Sequence, residues 1–377
     1  MNHTSSMNHT SVDAEQHALE RLYSDMAAAD IQPLWTITEQ LLTPTPAPRA
    51  IPWLWPAATM RNLARRSIDL VPVERGGERR ALSMQNPGLG GRPYAVGTLW
   101  GALQCLGPRE VAPAHRHTPG AIRFILEGEG VWTTVDGDAC DMRPGDLVLT
   151  PSMSWHDHTS AVDGDMLWFD GLDLPMVEAL DAVFFEPYPG PGQAQPQPAQ
   201  HNVSESAHAG SGCYTAGSAT SCSAQHSPLL NYRWTETVAE LDRLTATTDD
   251  SLVRIEYTHP ETGSSVLPTL SCAIHRVRAG GRTRPTRRSG NSIYVVFRGS
   301  GSSVINGKRF DWSGGDTFVV PSWAALEHHA IEQADLFVVS DEPVLRALGL
   351  SRNEVLDQPQ TVVDVFEPHS LQNEVTR

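Results

Sequence analysis

His115 and His117 stand two residues apart. On a β-strand that spacing puts both imidazoles on one face. The residues that follow alternate apolar with polar and are broken at Gly128-Glu129-Gly130, Asp136-Gly137 and Gly145-Asp146, the pattern of short antiparallel strands joined by hairpins. A sheet built this way returns the chain on itself, so His156, in Trp155-His156-Asp157-His158, can meet the first pair. Its distance from Pro151 favours His156 over His158 as the third member. Three neutral imidazoles converging inside a barrel make a transition-metal site with open positions. The spacing alone allows zinc with a bound water, or iron(II) with three positions left for other ligands.

These residues resemble the cupin family, whose first motif is a glycine, His-x-His, a glutamate and a second glycine, and whose second is Gly-Asp, proline and a final histidine. The glutamate is missing here. Ala121 and Ile122 occupy its place, so the chain is similar to the three-histidine branch: gentisate 1,2-dioxygenase and its relatives acting on salicylate and 1-hydroxy-2-naphthoate. The resemblance also rests on Arg79-Arg80-Ala81-Leu82 with Asn86-Pro87, on Leu99-Trp100-Gly101-Ala102-Leu103-Gln104, and on Asp170-Gly171-Leu172-Asp173. It is close over most of residues 34–186 and looser beyond. It implies one Fe(II) per chain on His115, His117 and His156, dioxygen as co-substrate, and opening of the ring between the carbon bearing the carboxylate and the hydroxylated carbon. It also implies maleylpyruvate as the product from gentisate, and a homotetramer. A salicylate or 1-hydroxy-2-naphthoate enzyme, a non-catalytic metal-binding cupin and a zinc-dependent hydrolase or isomerase are the competing readings.

A third histidine in place of a carboxylate leaves one more positive charge on the metal. An ortho-hydroxy aromatic acid, binding through carboxylate and phenolate, compensates for it. Gentisate is favoured because its second hydroxyl makes the ring easier to oxidise. Arg123 lies six residues after His117, an even spacing that turns it inward on a strand, where a guanidinium can hold a carboxylate by two bonds. Trp100, Ala102 and Gln104 share a face: Trp100 to wall the ring, Ala102 to limit its substituents, Gln104 to hydrogen-bond it. Arg79 and Arg80 point opposite ways, and the resemblance favours Arg79 for the pocket. His158, two past His156, becomes a proton-transfer group. Asp170 is expected either to orient it or to accept a proton from a ring hydroxyl.

The elements that must position these groups follow from the rest of the chain. Its 377 residues allow two domains with real cores. Lys and Arg number 28 against 44 Asp and Glu, a formal charge of −16, which argues against nucleic acid or an anionic membrane as partner and requires a local basic pocket for an anionic substrate. The five cysteines do not read as a disulfide framework. No apolar run approaches the roughly 18 residues of a membrane span and no signal core precedes the first helix, so a cytoplasmic location is expected. The predicted fold is all-β dominated: a bicupin of two double-stranded β-helix (jelly-roll) barrels with an N-terminal helical arm and a few connecting helices.

The expected boundaries are an arm over 1–70, a metal-bearing barrel over 71–188, a flexible linker rich in Pro, Gly, Ser and Gln over 189–227, and a second barrel over 228–377. Helices are expected over 12–28 and 57–67, and another from Leu174 to Phe185. The second barrel repeats the first. Gly299-Ser300-Gly301 matches Gly128-Glu129-Gly130, Asn306-Gly307 matches the Asp136-Gly137 turn, and Gly315-Asp316 matches Gly145-Asp146, at a separation of 170 to 171 residues. At that separation the metal ligands fall on Thr286, Arg288 and Leu326, so the second barrel is expected to hold no metal.

Overall fold

The computed structural model describes residues 6–75, 80–190, 195, 200–208, 213–215 and 225–368. The chain forms two compact units, Met1–Ala47 and Pro48–Arg377. The first holds a long helix, Ser6–Ala28, a 3-10 turn at Leu34–Thr36 and a short helix at Thr38–Leu41. Its turn is pinned to its long helix by the indole of Trp35, which donates to the Tyr23 hydroxyl at 3.2 Å. No helix among the described residues is long and apolar enough to cross a membrane.

The second unit is four sheets arranged as two jelly-roll barrels. In the first barrel, strands Leu147–Thr150, Ala121–Glu127, Met166–Leu172 and Trp100–Leu106 form the centre of one sheet. Val111–His117, His156–Ser160, Val131–Val135 and Asp138–Met142 form the other. The second barrel repeats both sheets, with Thr317–Val320, Ser292–Arg298, Ala334–Ser340 and Ser271–Val277 in one and Thr286–Arg288, Leu326–Ala330, Ser300–Ile305 and Lys308–Ser313 in the other. The hairpin signals hold. Asp136 and Gly137 sit at φ 46° and 90°, and Asn306 and Gly307 at 50° and 80°, the left-handed pair of a two-residue turn. One apolar core joins the barrels, with Phe124 of the first stacked on Phe337 of the second at a centroid distance of 4.2 Å.

Each barrel also lends its leading strand and helix to the other. Trp53–Trp55, which precedes the first barrel, pairs with Thr317–Val319 of the second. Asn231–Tyr232, which precedes the second, pairs with Leu147–Val148 of the first. The helices that follow these strands, Ala57–Leu70 and Trp234–Thr247, have no side-chain cap from their own first residues. The opposite barrel supplies it. Asp316 accepts from the Ala57 amide at 2.7 Å and Asp146 from the Trp234 amide at 2.8 Å, each satisfying an amide that a helix start leaves open. The glycine before each aspartate allows the approach, since a Cβ at Gly145 would lie 2.6 Å from the Trp234 ring and one at Gly315 2.9 Å from the Ala57 Cβ. The Gly-Asp pairs therefore bind the two barrels to each other. We expect Asp146→Ala, which removes both this cap and the 2.7 Å ion pair to Arg233, to lower stability by about 2–4 kcal/mol. Urea unfolding followed by tryptophan fluorescence measures it; a change below about 0.5 kcal/mol would show that the exchange contributes little.

Two expectations are corrected. The helix expected from Leu174 to Phe185 ends at Ala179. Asp181 turns left-handed at φ 53°, and Phe185–Pro187 pairs as an edge strand with His115–His117. Backbone pairing to the histidine strand outcompetes continued helix, and Thr118 fixes it by accepting from the Phe184 amide at 2.8 Å. The segment expected to be a flexible linker has docked parts among its described residues. Buried Gln195 donates to Thr134 O at 3.0 Å and to Asp157 at 2.9 Å. Gln200–His201 pairs with Asp138–Ala139, and Asp138 accepts from the amides of Val203 and Ser204 at the start of the Val203–His208 helix. Composition registered how few large apolar residues the segment has. It could not register that Asp138, Asp141 and Asp157 of the barrel wait to satisfy its polar groups.

Candidate metal centre and substrate pocket

His115 and His117 lie on one strand, and His156 opens the neighbouring strand directly opposite His115. Ring centroids are 4.3 Å apart for His115 and His156, 4.9 Å for His117 and His156, and 5.6 Å for His115 and His117. One nitrogen from each ring lies within 4.8 Å of the other two. The Nδ1 atoms sit 3.1 Å from Pro113 O, 2.7 Å from Pro119 O and 2.9 Å from Ser154 O respectively. A carbonyl only accepts, so each Nδ1 carries the proton and each Nε2 a lone pair. Backbone tethers of this kind orient imidazoles toward a metal. The Nε2 of His156 is buried with no hydrogen-bond partner among the described residues, a cost that a bound cation would remove. Burial, then the Arg123 guanidinium and the neighbouring His115 and His117 rings, hold the His156 imidazole well below its usual range, so it is neutral and able to ligate. The donor set fits a transition metal.

His158 is not part of the cluster. It is buried, its ring is 6.3 Å from that of His156, and its Nδ1 is 2.9 Å from the Thr133 hydroxyl. Its ring packs 5.2 Å from Trp168, which places it between the histidine sheet and the facing sheet. Burial and the nearby Arg123 keep it neutral as well.

The facing sheet carries the remaining groups in register. Arg123 is opposite Asp170, and Asp170 is opposite Ala102; one step along, Trp168 is opposite Gln104, and Leu172 opposite Trp100. Directly opposed residues share a face, so Trp100, Ala102, Gln104, Arg123 and Asp170 form one wall. Gln104 and Ala102 are buried and Trp100 is half-buried. Arg123 is 3% exposed, bonds the Thr150 hydroxyl and has its Nε 3.5 Å from Asp170. Asp170 also accepts from the Trp168 indole at 3.0 Å. Burial pushes the Asp170 carboxyl up to about 6 against the pull of Arg123 and Trp168. Its described partners are thus Arg123 and Trp168, with no contact to His158 among them. Thr150 and Trp168 were not anticipated, although Trp168 shares its strand face with Asp170 at a spacing of two. Phe185 was missed too; its ring stacks 5.2 Å from that of His115. Arg79 lies outside the described residues. Its neighbour Arg80 is buried, bonds Val71 O at 2.7 Å and pairs with Glu110.

In the second barrel Thr286 is opposite Leu326, the register that joins His115 to His156 in the first. Neither side chain is a metal donor of the imidazole kind. Arg288, two residues after Thr286, takes the place of His117.

A family model for the cupin domain matches residues 102–172, the span from Ala102 through the histidines to Leu172. The chain is 44% identical to a gentisate 1,2-dioxygenase from Streptomyces sp over 91% of its own length and 97% of that protein. It is 35% identical to a 5-aminosalicylate 1,2-dioxygenase from Comamonas sp over 92% and 93%. Among solved structures, salicylate 1,2-dioxygenase from Pseudoaminobacter salicylatoxidans with gentisate superposes with a TM-score of 0.82 at 40% identity, covering 90% of this chain and 94% of that one. Likeness of this extent spans both barrels, not the histidine-bearing one alone, and makes the protein a bicupin ring-cleaving dioxygenase. The chain belongs to the gentisate and salicylate 1,2-dioxygenase family.

Proposed function

We propose that this protein is an iron(II)-dependent dioxygenase of ortho-hydroxy aromatic acids, with gentisate as its preferred substrate and maleylpyruvate as the product. One iron per chain is held by His115, His117 and His156, and the second barrel holds none. The observation that carries the reading is the set of three imidazoles tethered at Nδ1, one of them with its Nε2 buried and without a partner among the described residues. When bound, the iron supplies the redox centre through which the ring and dioxygen exchange electrons. Both oxygen atoms of dioxygen enter the product, so no external reductant is consumed.

The protein's own groups bind and orient the acid. Arg123 takes the substrate carboxylate, and Gln104 hydrogen-bonds a ring oxygen. Trp100 lies along the ring, and Ala102 limits substituents on that side. His158, neutral and buried, accepts the proton that a ring hydroxyl gives up. Arg79 as a second cationic contact rests on family resemblance alone. The same resemblance supports a homotetramer.

Asp170 makes substrate binding depend on pH. Above about 6 its carboxylate is charged and offsets Arg123; below that it is neutral, and the guanidinium is left to attract the substrate. Gentisate affinity measured without oxygen should therefore rise from pH about 7.5 to about 5.5, by up to about tenfold for a one-unit coupling. Asp170→Asn should flatten this dependence, and an unchanged slope in that variant would remove Asp170 from the account. Substrate preference is tested by oxygen uptake of the iron-loaded protein with gentisate, salicylate, 1-hydroxy-2-naphthoate and benzoate. Gentisate should be fastest and benzoate, without the ortho hydroxyl, inert. Equal rates on benzoate would overturn the chelation argument.

A further inference from the structure

We propose that the interior of the second barrel is a metal-independent binding site for a small dicarboxylate dianion. The second barrel holds a cavity of about 770 Å3, within the size range of small-molecule sites. Six arginines line it against three carboxylates, a local positive excess in a chain whose formal charge is −16. Arg288 and Arg346 share Glu342, at 3.6 and 2.9 Å. Arg254, Arg282 and Arg284 make no ion pair among the described residues, so their charge is available to a ligand.

The deepest groups are arranged as a receptor. His275 is 5% exposed, and neither of its ring nitrogens has a hydrogen-bond partner among the described residues. Arg254 stands directly opposite it on the next strand, and the Arg254 Nε is buried and also without a partner among the described residues. Buried polar atoms are rarely left unpaired, and two such groups facing one cavity indicate a ligand that pairs them. Arg288 occupies the position that His117 holds in the first barrel, so a guanidinium stands where a metal ligand stood. Burial, and then Arg254, His328 and Arg288, keep His275 neutral, with one nitrogen to donate and one to accept. Arg254 supplies a planar fork matched to one carboxylate. Arg288, whose terminal nitrogens already meet Glu342 and the Ser292 hydroxyl, adds a second positive charge for the other, and Tyr294 and Leu326 provide an apolar wall for the short carbon chain between them. A monoanion would meet only one of the two guanidiniums.

Two sources share this chemistry: the ring-opened diacid formed under the function proposed above, and diacids of general metabolism. Calorimetry on the full-length, iron-loaded protein at low salt separates them. Maleate, succinate, benzoate, inorganic phosphate and the ring-opened product generated from gentisate are titrated in turn. About one maleate or succinate per chain should bind, at least tenfold tighter than benzoate or phosphate. A tighter isotherm for the ring-opened product assigns the site to the enzyme's own product, and parity with succinate assigns it to general diacids. The product arm depends on gentisate turnover, whereas the maleate and succinate arms stand even if that activity fails. R254Q and R288Q should each weaken maleate at least tenfold and leave iron content unchanged, while Arg123→Ala should leave the maleate isotherm intact. If a variant does not fold, a maleate-soaked crystal of the unaltered protein gives the answer, with density expected between Arg254, Arg288 and His275. No maleate binding, binding lost in Arg123→Ala, or density elsewhere would overturn the proposal.

Discussion

His156→Ala protein, reconstituted with ferrous ion under nitrogen, should hold no more than about a hundredth of the iron affinity of the parent and show no measurable ring cleavage. Loss of a group that merely orients a ligand costs 10–100-fold in metal affinity, and here one of only three protein ligands is removed. His156 is the most buried of the three, and its Nε2 is the one with no partner among the described residues. His158 is not placed to substitute: its ring is 6.3 Å from that of His156 and its Nδ1 is engaged by Thr133. Iron content per chain and oxygen uptake give the result. Full iron in His156→Ala would move the third ligand to His158.

Arg123→Ala should retain iron yet bind gentisate roughly 10- to 100-fold more weakly. A charge-assisted bond in a dry pocket contributes about 1.5–3 kcal/mol, and 1.4 kcal/mol is a factor of ten. The structure adds a second consequence. Arg123 is the charge that draws the Asp170 carboxyl down against burial, so its loss should raise that carboxyl further and weaken the pH dependence of binding. Arg123→Lys should recover only part of the affinity, because an ammonium cannot reproduce the planar fork. Gentisate binding as tight as in the parent would reduce Arg123 to a structural partner of Asp170 and Thr150, and Arg79 would become the next group to test.

How much of this was legible in the sequence depends on how far apart the partners lie. The His115–His117 pair needed only the alternation of a strand, and Trp100, Ala102 and Gln104 fell on one wall by the same rule. The repeat separation carried Thr286 and Leu326 onto the register of His115 and His156. Local signals also placed the turns at Asp136-Gly137 and Asn306-Gly307. What escaped was long-range and polar. Asp316 caps a helix 259 residues earlier in the chain, and no periodicity encodes that. Arg123 was assigned to the substrate without its partner Asp170, because opposition across strands depends on register. Phe185 was assigned to a helix because its local pattern carried no sign of the histidine strand it pairs with. The docked parts of 189–227 escaped for the same reason, since their partners, Asp138 and Asp157, belong to the barrel.

Oxygen consumption by the iron-loaded protein with gentisate, measured beside iron per chain, tests the central claim most directly. The account predicts about one iron per chain, one dioxygen consumed for each ring opened, no requirement for added reductant, and loss of both iron and uptake together in the His115→Ala, His117→Ala and His156→Ala proteins. Uptake that persists in a protein stripped of iron, or full iron with no uptake on gentisate, salicylate or 1-hydroxy-2-naphthoate, would contradict it.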